Sequence, residues 1–161
     1  MSAINNRRPT TTSFVTPAMK AGAFLLLLAL GGCNHVRMMF HEGAQRPAES
    51  EFGLGPRASS GGTYVAIVEP VEPLRLRRLQ TVKLTVLTAD GLPVKSASIE
   101  VDGGMPEHGH GLPTRPRVTA ELTEGTYQVD GVRFNMGGWW ELKFHIAAAA
   151  GRDSVTFNLD L

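Results

Sequence analysis

Trp139-Trp140-Glu141-Leu142-Lys143-Phe144-His145-Ile146 decides the fold. Successive side chains of an extended strand point to opposite faces. Trp140, Leu142, Phe144 and Ile146 therefore share one face, and Trp139, Glu141, Lys143 and His145 the other. This reading buries Trp140, and Trp139 then faces outward or covers a site. The same alternation runs upstream: Val82, Leu84 and Val86, then Ala97, Ile99 and Val101, then Val118, Ala120 and Leu122, each interleaved mostly with polar residues. Tyr127 and Val129 follow, and Val132, Phe134 and Met136 continue in shifted phase, so Asp130-Gly131 reads as a bulge or bend. Downstream, Ala147–Ala150 is too short for a helix and reads as a hairpin loop before Val155, Phe157, Leu159 and Leu161.

Period-two patterning repeated at turn spacing marks half-buried antiparallel strands. With Thr63–Glu69 the count is about seven strands in roughly a hundred residues, the size of an immunoglobulin-like sandwich. The expected fold is thus all-β: an immunoglobulin-like antiparallel β-sandwich without that fold's cysteine pair. Eighteen glycines and 10 prolines in 161 residues agree with a turn-rich β protein.

The single cysteine, Cys33, forms no disulfide within one chain. Its surroundings explain it. Ala21–Leu30 is an apolar run far short of the roughly 20 residues that span a bilayer. Arg7, Arg8 and Lys20 precede it, and Leu30-Gly31-Gly32-Cys33 follows. Small residues at the end of such a run mark a secretory cleavage site, and the cysteine directly after them resembles a bacterial lipobox. The expected organisation is a lipoprotein signal peptide over 1–32, a lipidated Cys33 with a flexible tether over 33–62, and a β domain over 63–161. Met19-Lys20 offers a second start with a more usual leader length. Asn34, where an Asp would resemble an inner-membrane retention signal, favours the outer membrane of a Gram-negative host, facing the periplasm. Removing the three leader cations from 16 Lys+Arg leaves 13 against 15 Asp+Glu, about −2, so no nucleic-acid partner is expected. The basic run Arg75-Leu76-Arg77-Arg78 reads as a solvated loop or strand face.

Chemistry concentrates in Met105-Pro106-Glu107-His108-Gly109-His110-Gly111. One thioether and two imidazoles stand close together in a Gly/Pro-framed stretch that suits neither an ordinary helix nor a central strand. Soft sulfur with borderline nitrogen donors suits copper, Cu(I) above all. His108 and His110, at i and i+2 of extended backbone, would project to one side. The alternative is a surface loop with solvated imidazoles. Met136 is the candidate distant ligand, although its phase with Val132 and Phe134 equally suits a core filler. A second cluster, His35, Met38, Met39 and His41, offers accessory donors near the expected lipid, or is merely spacer of that composition.

The Met105–Pro113 run, then Gly125-Thr126-Tyr127, then Gly131-Val132-Arg133-Phe134-Asn135-Met136-Gly137-Gly138-Trp139-Trp140-Glu141-Leu142 resemble the YtkA-like/FixH-like periplasmic domain. The resemblance covers about Val82 to Leu161. It implies a small β-sandwich, an association with envelope copper handling and cytochrome oxidase maturation, and a metal site of Met105, His108, His110 and Met136. FixH proper is held by a transmembrane helix, whereas this chain carries the expected lipid anchor.

The sequence therefore points to an envelope lipoprotein that binds or delivers Cu(I), with an envelope cuproprotein or oxidase-assembly protein as partner. Proton competition for imidazole would weaken binding as pH falls toward and below about 6.5. The second reading is a metal-free interaction module with Trp139 as an exposed anchor. No enzyme is expected: Gly-x-Ser-x-Gly, phosphate-loop and His-Glu-x-x-His patterns are missing from the sequence, and Glu107 beside His108 is thin support for a metallohydrolase.

Overall fold

The computed structural model describes residues 44–161; the expected signal peptide, Cys33 and the His35, Met38, Met39, His41 cluster lie outside the described residues. Nine strands follow in order: β1 (Arg57–Ala58), β2 (Tyr64–Pro70), β3 (Gln80–Thr88), β4 (Ser98–Met105), β5 (His110–Gly111), β6 (Arg117–Thr123), β7 (Thr126–Val132), β8 (Trp139–Ala148) and β9 (Gly151–Asp160). All pair antiparallel in the path β1-β2-β3-β7-β6-β4-β8-β9, with β5 folded back on β4. The result is the expected all-β, immunoglobulin-like sandwich, its sheet curled nearly closed. The about seven strands read from the sequence are the seven longer ones. Two-residue β1 and β5 carry no periodic signal.

The alternating apolar face fills the interior. Tyr64, Leu84, Val129, Phe134, Trp140 and Phe157 are among its fully buried side chains. Phe134 packs edge-on to Trp140 with ring centroids 5.3 Å apart, a favoured aromatic geometry. All buried apolar residues of the described chain lie between Tyr64 and Leu159, within one compact unit that spans Phe40–Leu161. The register of β3 against β7 slips where Gln80 faces Val132 and Thr81 faces Asp130, which places the expected bulge at Gly131. The Ala147–Ala150 hairpin also forms, joining β8 to β9.

Three expectations change. The described part of the 33–62 tether is built into the domain: Phe52 bridges Asn158, the Gly53 amide donates to the Asn158 carbonyl at 2.8 Å, and Leu54 packs on the core. Trp139 is 2% exposed rather than outward-facing, its indole N–H donating to Asn158 Oδ1 at 3.0 Å. That Asn158 amide in turn donates to the Glu51 carbonyl at 3.4 Å, so the N-terminal segment lies over this end of the sheet. On β6, Val118 is half-buried and Ala120 and Leu122 are exposed. The strand pairs with β4 only at Arg117–Glu100, so beyond that point its apolar residues lack a neighbour to cover them.

Besides the backbone bonds of Gly53 and Ser60 to β9, one carboxylate ties the segment before β2 to that strand. Asp153 accepts hydrogen bonds from Ser59 Oγ (2.6 Å), Ser60 Oγ (3.0 Å), the Gly61 amide (3.0 Å), the Thr63 amide (3.1 Å) and the Ser154 amide (2.8 Å). These donors, the Ser59 hydroxyl foremost, hold its pKa far below the ordinary carboxylate range. No helix among the described residues is long and apolar enough to cross a membrane.

Candidate functional site

Met105 ends β4, and the chain turns at once. Pro106 pre-sets the backbone for one 3-10 turn over Pro106–His108. Gly109 then takes φ +65°, a left-handed conformation that glycine adopts without penalty, and its amide donates to the Met105 carbonyl at 3.0 Å. His110 and Gly111 return as β5, with Met105 opposite His110 and Gly104 opposite Gly111. The sequence motif is therefore a tight β-hairpin whose tip carries His108.

The expectation of two histidines projecting alike from extended backbone is not met, because a 3-10 turn and a left-handed glycine separate them. The rings meet by this other route: their centroids are 5.8 Å apart. Both residues are exposed. His110 Nδ1 lies 3.2 Å from the Gly111 carbonyl. A proton on Nδ1 would donate there and leave Nε2 as the outward lone pair.

Met105 differs from the loop residue read from the sequence. It is 1% exposed and belongs to the core, yet it borders a shallow depression with Pro106, Gly109, His110 and Glu141. Its methyl group leans toward Gly138, where an added Cβ would lie 3.0 Å from Met105 Cε at a backbone φ of +120°. Gly138 is thus shaped to admit the methionine. Met136 stands apart from the core reading, being 42% exposed. Its carbonyl accepts the Trp140 indole N–H at 2.9 Å, and the Trp140 ring lies edge-on to His110 with centroids 5.9 Å apart. The structure thus brings Met105, His108 and His110 together on one hairpin, and links Met136 to them through Trp140.

Sequence reasoning missed two contributors. Trp140, read only as core, touches both neighbours: its ring lies edge-on to His110 and its indole N–H donates to the Met136 carbonyl. Glu141 lines the depression and forms an ion pair with Lys143 at 2.7 Å. Their i, i+2 spacing in a strand was the available signal. No group of three or more His, Cys, Asp or Glu among the described residues is placed to hold a metal ion. A site here therefore depends on thioether sulfur. The imidazole spacing is compatible with a shared ion: nitrogen–metal bonds of about 2.0 Å allow centroids up to roughly 6 Å apart.

A model of the YtkA-like family matches residues 57–145, which include the whole hairpin and Trp140. No curated protein matches the chain significantly. Among solved structures, the ZirS C-terminal domain is similar at 15% identity and a TM-score of 0.37, covering 95% of this chain and 88% of that one.

Proposed function

The chain belongs to the YtkA-like family, and from that premise we propose that it is a cell-envelope lipoprotein that binds Cu(I) on the Met105–Gly111 hairpin and passes it to another envelope protein. The observation that carries this reading is the hairpin register: Met105 opposite His110, with the His108 ring 5.8 Å from that of His110. A cross-strand thioether–imidazole pair with a second imidazole beside it is a donor set suited to soft Cu(I). Met136, 42% exposed and tied to Trp140 through its backbone carbonyl, is the candidate for a further thioether. Few ligands on an exposed hairpin favour transfer by ligand exchange over permanent storage.

Attachment through a lipid on Cys33 would keep the domain in the periplasm, at the outer membrane of a Gram-negative host. The acceptor would be an envelope cuproprotein, in cytochrome oxidase maturation or copper homeostasis. The metal-free interaction module loses its proposed anchor, because Trp139 is buried.

Trp140 supplies a reporter, since its ring lies edge-on to His110 with centroids 5.9 Å apart. Anaerobic titration with Cu(I) is expected to change tryptophan emission to a plateau at one equivalent, and His110→Ala to abolish that change. Unchanged emission together with no retained copper after desalting would remove copper from the function.

A further inference from the structure

We propose that the loop joining β2 to β3, Val71–Leu79, is a membrane-contact element that seats the domain on anionic phospholipid with the Met/His hairpin at the same end. Its sequence interleaves apolar and basic residues, and both kinds face solvent. Leu79 is 68% exposed, Val71 58% and Leu76 40%. Arg75, Arg77 and Arg78 are exposed between them, against one acidic residue in the loop, Glu72. Exposed leucines beside arginines match the two layers of a membrane interface, acyl boundary and phosphate headgroup.

The loop is fixed to the candidate site. Arg77 adopts φ +62°, unusual for a residue with a Cβ. Its amide donates to the Phe134 carbonyl at 2.6 Å and its Nε to the Asn135 carbonyl at 3.3 Å, immediately before Met136. The strand pairings put Pro70, Gln80, Val132, Met105, Trp139 and Asp160 at one end of the sandwich. The chain enters the described structure at that end too, because Arg46 forms an ion pair with Asp160 at 2.7 Å. Ten residues separate Cys33 from Ala44, so a lipid on Cys33 would tether the domain through this point of entry. That tether rests on the lipoprotein reading; the loop's affinity for lipid does not.

Vesicle sedimentation of residues 34–161, which lack the lipid-bearing cysteine, separates the two. At low ionic strength the protein is expected to partition about tenfold better onto vesicles of one part phosphatidylglycerol to two parts phosphatidylcholine than onto phosphatidylcholine alone, and to be released by salt. Arg75→Gln, Arg78→Gln and Leu79→Ser, all at exposed positions, should each reduce binding about fivefold with unchanged thermal unfolding. Sedimentation with neither vesicle would overturn the proposal and leave this end as a protein-docking surface. Equal binding to both vesicles, or variants that bind as well as the wild type, would overturn it as well.

Discussion

Met105 is buried, yet it stands opposite exposed His110 across the β4–β5 ladder, so packing and ligation meet in one side chain. The two roles separate by substitution. Met105→Ala leaves a cavity against Gly138 and should cost about 3 kcal/mol in chemical denaturation. Met105→Leu keeps the volume, should cost less than about 1.5 kcal/mol, and should weaken Cu(I) binding while the fold persists. A Met105→Leu protein that binds as tightly as the wild type would make Met105 a packing residue alone. The residue types of the hairpin were legible in the sequence as soft donors. The buried position of Met105 was not, because a methionine beside Pro106 and Gly109 looks like part of an open loop. It lies in the core cluster, with β5 returning opposite it and Gly138 against its methyl group.

At the scale of elements, alternation revealed the strands that have cover on one face and open surface on the other. The Trp140–Ile146 face is buried as read. Alternation misled on β6, where the pattern is present but the adjoining strand is lost after Arg117. It also hid the N-terminal segment, since β1 is two residues long and the segment reaches β9 through hydrogen bonds of Gly53 and Ser60 rather than through periodicity. The Asp153 clamp belongs to this level. Its folded pKa lies below the ordinary carboxylate value, with Ser59 the leading cause. Asp130 is depressed likewise, by Thr119, Thr81 and then Gln128. A carboxylate with a depressed folded pKa stabilises the fold fully above its unfolded value, about 3.9, and loses that contribution as pH falls toward the folded value. Stability should therefore drop below about pH 4. Asp153→Asn should lower the urea-unfolding free energy at neutral pH by about 2 kcal/mol and flatten the acid decline. An acid limb of unchanged steepness in Asp153→Asn would assign the decline to other groups.

For the whole molecule, the ends of the sandwich are unlike. One carries the β8–β9 hairpin and the Asp153 clamp. The other gathers the Met/His hairpin, the Arg-rich loop, the C-terminus and the point where the N-terminal segment enters. Such asymmetry suits a protein that works from a membrane and exchanges a soft cation at one end. The most direct measurement of that claim is anaerobic competition for Cu(I) against a chromophoric chelator. It compares residues 34–161 with a variant carrying Met105→Leu, His108→Ala, His110→Ala and Met136→Leu, chosen to preserve the core. The wild type is expected to withdraw one equivalent of Cu(I), and the variant none while still unfolding cooperatively. A wild type that leaves the chelator complex intact, or a variant that competes equally well, would contradict it.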